Sequence, residues 1–587
     1  MAAGQHFFGP WDYVVLVIVL LISASIGVYY RFTGGKQKTM QEYLLADKNM
    51  SIIPVAFSLM ASFMSAITLL GVSSENYTFG IQFIVINISY GIFTPVAAYL
   101  YLPVFFKLQA TSAYEYLERR FGKASRLAAS LSYTLQMTLY MGVVLYAPAL
   151  ALEALTGISK VAAILSVGLV CTFYSTIGGM KAVLITDVFQ SLLMFAAVFS
   201  VIIYAVIDKG SFDEIWNIAE RGNRTDLLNF NPDPTERHSW FSLIIGGGIT
   251  FLSLYAVNQT QVQRYLTVKD LKRAQTALWL NWPILTCLSL STSFSGLAIY
   301  SKYAACDPVK AKVINSPDQL MPLYVVDTMG DIPGLSGLFV AGIFSASLST
   351  VSAAVNSLAA VTIEDYYKPL YKSIFGKSLS EKTIAIQSKL IALLFGLLCL
   401  AVAFLAQFLG GVLQASLTIF GVVGGPLLAL FTLGMFTTTA NEKGSLFGLL
   451  CGISFALWMA FGNPKPPLPA LPVTTEGCSS VFTNVTVVAE PQLTRATTQQ
   501  QEYFWLYKVS YLYNGVFGLL STYIIGYVAS LVINKIKGVS TQNLDPHLFI
   551  TPIARRLERT MDIPLNTKEL SDSQEELNGK YEVNGKY

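Results

Sequence analysis

Runs of about 17–25 mostly apolar residues recur from Trp11 to Ile533, separated by shorter polar or charged segments. Each run is long enough to cross roughly 30 Å of hydrocarbon as a helix. About thirteen are expected, near 11–32, 51–71, 82–105, 127–156, 161–179, 183–207, 240–262, 274–300, 333–360, 384–408, 411–436, 444–462 and 509–533. The pattern predicts an all-α polytopic membrane protein, because helices satisfy their backbone groups internally where no water is available. Composition agrees. With 53% hydrophobic and 13% charged residues, the chain of 587 residues is too apolar for a soluble domain of that length. The first run is followed, not preceded, by Arg and Lys and lacks an A-x-A cleavage site, so it is expected to be retained.

Charge sets an expected orientation with the N-terminus outside. The inner loops then hold Arg31, Lys36, Lys38 and Lys48, next Lys107, Arg119, Arg120 and Lys123, and later Arg264, Lys269, Lys272 and Arg273. An odd number of spans leaves the C-terminus inside. The net charge of +4 is this inner excess and gives no argument for nucleic acid. Cys306 and Cys478 fall in outer loops and are a candidate disulfide, whereas the other four cysteines lie in spans. Asn223 and Asn484 head sequons in the same outer compartment and are candidate glycosylation sites.

The expected organisation is a first helix and inner loop (1–50), a first repeat (51–207), an outer loop (208–239), a second repeat (240–436), and additional helices with an outer loop at 463–507 (437–534). A cytoplasmic tail (535–587), largely disordered, follows, with the disorder expected beyond about Arg556. No soluble catalytic module is visible, so the chain is not expected to be an enzyme. Gly34, Gly35 and Lys36 lack P-loop spacing, which argues against a nucleotide, and the three His are far apart, which argues against a metal centre other than sodium. No other cofactor is expected.

Some spans carry more hydroxyls than lipid tolerates. In FSASLSTVSAAVNS (344–357), Ser345, Ser349, Ser352 and Asn356 share one helical face, with Ser347 and Thr350 on its flank. Helix packing explains any one of these, since small hydroxyl residues bond back to their own helix. The adjacent pair Ser349 and Thr350 among so many companions suits a dehydrated alkali cation. In FSLMASFMSAITLLG (57–71), Ser58, Ser62, Ser65 and Thr68 interrupt the apolar run, and unwinding there frees carbonyls to line a cavity. Five spans later, Gly246, Gly247 and Gly248 and then Asn258 to Gln261 interrupt 240–262. Two broken helices, each opening a five-helix block, predict an inverted-repeat transporter. Asp187, near the inner end of its span, reads either as an interfacial carboxylate reaching water or as a lure for a departing cation.

These same stretches carry a family likeness. WDYVV, ASFMSA (61–66), TSAYEYLERRF (111–121), LYAPALAL (145–152), GGMKAVLITDVFQ (178–190), VNQTQVQRY (257–265), SPDQLMP (316–322) and the 344–365 stretch ending in TIED are together specific. The chain resembles the solute:sodium symporter family, in the branch of the sodium-coupled monocarboxylate, multivitamin and iodide carriers. The resemblance implies a leucine-transporter-like 5+5 inverted repeat with extra helices at both ends. It implies a sodium site formed by the carbonyls of Ala61, Met64 and Ala346 and the hydroxyls of Ser349 and Thr350, with Asp187 on the sodium path. It further implies a second ion and substrate region at Ser65, Thr68 and Tyr140, to which Phe63, Gln259 and Ser352 are added. Thr68 stands where the iodide symporter has Gln, which favours an organic anion over iodide.

The implied activity is sodium-coupled import of small organic anions, such as monocarboxylates, biotin or pantothenate, across the plasma membrane by alternating access. The implied partners are sodium, the anion and the lipid bilayer. Two alternatives remain at this stage: an iodide-type inorganic anion symporter, and a sodium-binding sensor or leak channel that keeps the fold.

Overall fold

The computed structural model describes residues 8–32, 45–109, 111–408, 411–478, 502–537 and 544–560. Nine helices among them are long and apolar enough to cross a membrane. A bent pair, Ser242–Tyr255 and Gln259–Tyr265, meets at 60° and can supply a further span. Three shorter apolar helices, Pro10–Ile26, Ile52–Ala61 and Lys160–Thr172, fall on the remaining expected runs. Among the described residues the regular structure is helical.

Burial separates a central group of helices from a peripheral one. The most apolar windows of Leu335–Phe375, Lys123–Thr156 and Val412–Phe436 are 94%, 89% and 89% buried, against 22% for Tyr511–Lys537. The central helices are therefore covered by protein on all sides, which is where polar side chains can be retained. The outermost pair packs by close backbone approach. A Cβ on Gly448 would lie 2.6 Å from the Thr522 carbonyl oxygen, and one on Gly444 would lie 2.5 Å from the Ser530 nitrogen.

Three breaks shape the central group. The Ile52–Ala61 helix stops without Gly or Pro, at a place where serines compete for the backbone. Ser62 donates its hydroxyl to the Ser58 carbonyl (2.5 Å), and the Ile67 amide donates to Ser65 Oγ (3.2 Å). At Gly179, φ of +71° admits only a residue without Cβ at low cost and divides Lys160–Lys209. The third break falls at one of the two places where the sequence interrupts its run. The 240–262 run does not open at its three glycines, which stay helical or π-helical, but at Ala256–Asn258. The glycines are close-packing points: a Cβ on Gly246 would meet the Leu512 carbonyl oxygen at 2.6 Å, and one on Gly248 would meet the Phe93 ring at 2.1 Å. Asn258 makes the break possible by accepting from the Thr260 amide (2.9 Å), which caps the second half.

Outside the helices, Cys306 is bonded to Cys478. Asn223 is exposed, and Asn484 lies outside the described residues. The tail is folded over 544–560, a few residues past Arg556, beyond which disorder is expected. There the consecutive Leu548, Phe549 and Ile550 are buried, as is Ala554, and Thr551–Thr560 is a helix. Tyr116 donates to the Leu548 carbonyl (3.0 Å), while the Arg120 guanidinium lies 5.0 Å from the Phe549 ring and donates to the Gly434 and Thr437 carbonyls. Three consecutive apolar residues are too few to register as a periodic element, yet they suffice to dock a tail.

Candidate functional site

Breaking the second helix leaves carbonyls that an intact helix would have consumed, and each must find another donor. Three of them do so on different helices. The Leu59 carbonyl accepts from Tyr255 (3.3 Å) and from Gln261 Nε2 (3.0 Å). The Ala61 carbonyl accepts from Ser349 Oγ (3.0 Å) and Thr350 Oγ1 (3.1 Å). The Phe63 carbonyl faces the Tyr140 hydroxyl at 3.5 Å. The break is thus held by side chains converging from four other helices.

At Ala61 the arrangement goes beyond ordinary satisfaction. Ser349 and Thr350 also lie 3.0 Å from the Ala346 carbonyl, so two hydroxyls and two carbonyls share one small volume. Each hydroxyl has a single proton and can serve one carbonyl at a time, which leaves the cluster with more acceptor than donor capacity. All four groups are neutral oxygens, and Ser349, Thr350, Ala346 and Ala61 are at most 1% exposed. A hard cation fits such a donor set. Of the five residues assigned to the ion, Met64 alone lies apart from these direct contacts. It lies within the unwound stretch 62–65 and borders the cavity described next.

That cavity, of about 80 Å³, lies beside the break. Phe63, Ser65, Thr68 and Tyr140, all selected from the sequence, line it together with Tyr90, Phe251, Tyr255 and Phe420. The Tyr140 and Phe420 rings meet edge to face at 4.5 Å, and Phe63 lies 5.7 Å from Phe420 and 5.8 Å from Tyr255. Among the described residues, no charged side chain lines it. It offers aromatic faces and hydroxyl donors, so a bound anion depends on O–H groups and on nearby cations for its counter-charge.

Two residues assigned to this region sit elsewhere. Gln259 does not line the cavity. Its side chain accepts from the Ala113 amide (2.7 Å) and donates to the Thr111 carbonyl (2.8 Å), pinning the 111–113 loop. Ser352 is buried one turn along from Ser349, to whose carbonyl it donates (3.0 Å), and is likewise absent from the lining.

Asp187 is not an interfacial carboxylate. It is fully buried, receives the Ser58 hydroxyl and faces Arg264 at 3.6 Å, and Arg264 is fully buried as well. Arg264 donates to Ser58 Oγ (2.7 Å) and to the Thr260 carbonyl (2.9 Å). Ser58 precedes Ala61 by one turn, so this ion pair lies one turn from the oxygen cluster, toward Ile52. Tyr133 closes the same end by bonding Thr260 (2.9 Å) and Ser357 (2.8 Å). Sequence reasoning had counted Arg264 as a loop charge, because a hydropathy window ends the span at 262 while the bend carries Gln259–Tyr265 back into the protein. The signal lay in QTQVQRY, which is too polar for a span yet buried at every position.

Comparison with known proteins agrees with this architecture. The family model described as the sodium:solute symporter family matches residues 43–452. A Drosophila melanogaster protein assigned as a sodium-dependent multivitamin transporter is 55% identical, covering 94% of this chain and 92% of its own. The human sodium-coupled monocarboxylate transporter 1 is 44% identical over 93% and 90%, and the human sodium/iodide cotransporter 38% over 94% and 87%. Among solved structures, a Na+-coupled sialic acid symporter in a substrate-bound outward-open state superposes with a TM-score of 0.72 at 25% identity, over 89% of this chain and 98% of that one. The chain belongs to the sodium:solute symporter family.

Proposed function

We propose that this symporter carries small organic anions, monocarboxylates or carboxylate vitamins, into the cell across the plasma membrane, with sodium bound by Ala61, Met64, Ala346, Ser349 and Thr350. The observation that carries the reading is the meeting of Ala61 with Ser349 and Thr350 at 3.0–3.1 Å across a broken helix. In this reading thirteen spans run with the N-terminus outside and the C-terminus inside, and 51–207 and 240–436 are inverted repeats. Sodium ties the broken helix to the Leu335–Val361 helix and so favours the conformation in which the cavity is complete. The anion then enters beside Phe63, Ser65, Thr68 and Tyr140, where hydroxyls and the cation supply what the uncharged lining lacks. Opening the Ile52 end separates Arg264 from Asp187, and the freed carboxylate draws sodium inward along its path to the cytoplasm. Sodium binding and anion binding each stabilise the same closed arrangement, which couples them.

The multivitamin and monocarboxylate relatives support an organic anion, and Thr68 supports it over iodide. The experiment is uptake of labelled lactate, butyrate, biotin, pantothenate and iodide by cells expressing the protein, in sodium and in choline. Sodium-dependent accumulation of a carboxylate is expected. Accumulation indifferent to sodium, or of iodide alone, would overturn the reading.

A further inference from the structure

The central cavity has no cation in its lining, yet the proposed cargo is an anion that must leave water to reach it. Two larger cavities, of about 450 and 490 Å³, lie toward the Phe79 end of the second helix, and the second shares Leu413 with the central cavity. Among the described residues, Arg237 is the one charged side chain that borders both. Its guanidinium lies 4.1 Å from the Phe79 ring and 4.9 Å from that of Tyr511, which fixes its plane. One edge of the fork meets Glu75, with Nε 2.7 Å and Nη2 3.1 Å from the two carboxylate oxygens, and Nη1 donates to Gln414 (3.2 Å). The pair is nearly closed off from solvent: the Arg237 side chain is 10% exposed and that of Glu75 8%.

We propose that Arg237 is a transit site for the carboxylate of the incoming solute, which exchanges with Glu75 on the guanidinium before moving inward. The inference rests on the organic-anion reading above. Three features argue for exchange over a fixed strut. The position already holds a carboxylate in bidentate geometry, so an incoming carboxylate finds the same hydrogen-bond fork on the guanidinium. The displaced Glu75 keeps a neighbour, because His238 Nε2 lies 3.2 Å from its Oε1. The two outer cavities meet at this side chain, so an anion held there stands between solvent and the route past Leu413.

The test uses opposite signs. Kinetics of labelled butyrate and biotin uptake are measured per transporter at the cell surface, in sodium and in choline. Arg237→Gln is expected to raise KM about ten-fold, the worth of a charge-assisted pair. Glu75→Gln removes the resident competitor and is expected to lower KM. The double variant, which leaves neither charge unpaired and so guards against misfolding, is expected to behave like Arg237→Gln. A purely structural bridge predicts that both single variants impair uptake alike and that the double variant restores the original KM. Either of those outcomes, or an unchanged KM in all three, overturns the transit site. Uptake equal in sodium and choline would instead overturn the symport reading itself.

Discussion

Replacing Thr350 by Val removes one oxygen from the cluster and keeps the side chain's shape. In the protein alone, the lost hydroxyl takes with it one neutral hydrogen bond, to the Ala61 carbonyl at 3.1 Å or to Ala346 at 3.0 Å. Such a bond is worth about 1 kcal/mol, and Val leaves no cavity, so folding and abundance should change little. If the same oxygen contacts a cation, its loss costs about 1.5–3 kcal/mol of binding, which is roughly ten- to hundred-fold in apparent sodium affinity. Thr350→Ser retains the oxygen and should stay within about three-fold of the parent. The assay is the sodium concentration giving half-maximal uptake, alongside surface abundance by external labelling. A large shift for Val, a small one for Ser and equal abundance is the expected result. If Val and Ser behave alike, or if abundance falls as steeply as sodium affinity, Thr350 acts through packing and the reasoning fails.

Further predictions follow from the buried charges and the tight contacts. Arg264→Gln leaves Asp187 buried without its counter-ion and should destabilise the purified protein by about 3–5 kcal/mol, with partial recovery in the Asp187→Asn, Arg264→Gln double variant; equal melting of the single variant and the parent would refute the pairing. Burial holds the His238 imidazole below its ordinary pKa, against the pull of Glu75, so the unfolded chain takes up a proton that the folded protein refuses. That contribution to stability is complete above about pH 6.5 and lost as pH falls below it; the melting temperature should drop between pH 7.5 and 5.5, and less so in His238→Gln, and a flat profile in the parent would contradict it. Gly425→Ala would set a Cβ 2.2 Å from the Gly515 carbonyl oxygen, a backbone atom that cannot swing aside, and should lower stability by about 1–3 kcal/mol in a thermal melt.

The parts of the site visible in the sequence are those where one residue type is costly in its setting. Ser349 and Thr350 stood out because hydroxyls at membrane depth need partners, and the early serines because they compete with the helix that carries them. Phe63, Ser65, Thr68 and Tyr140 followed from the same broken stretch and the family likeness. Arg264 was hidden because a window that averages hydropathy ends at the first polar turn, whereas a 60° bend returns that turn to the interior. Of the two places that interrupt 240–262, the Asn258 end opens and the three glycines do not: Gly both permits irregular backbone and permits close approach, and here the neighbouring Leu512 backbone and the Phe93 ring use the second property. The folded tail escaped notice because its docking depends on Arg120 and Tyr116, more than four hundred residues away in the chain.

Alkali-ion binding by neutral oxygens is the claim on which the rest depends, and equilibrium binding of radioactive sodium to the purified protein tests it without any transport step. Saturable binding is expected in the parent, weakened at least ten-fold in the Ser349→Ala, Thr350→Val double variant at equal thermal stability. Undiminished binding by that variant would contradict the account.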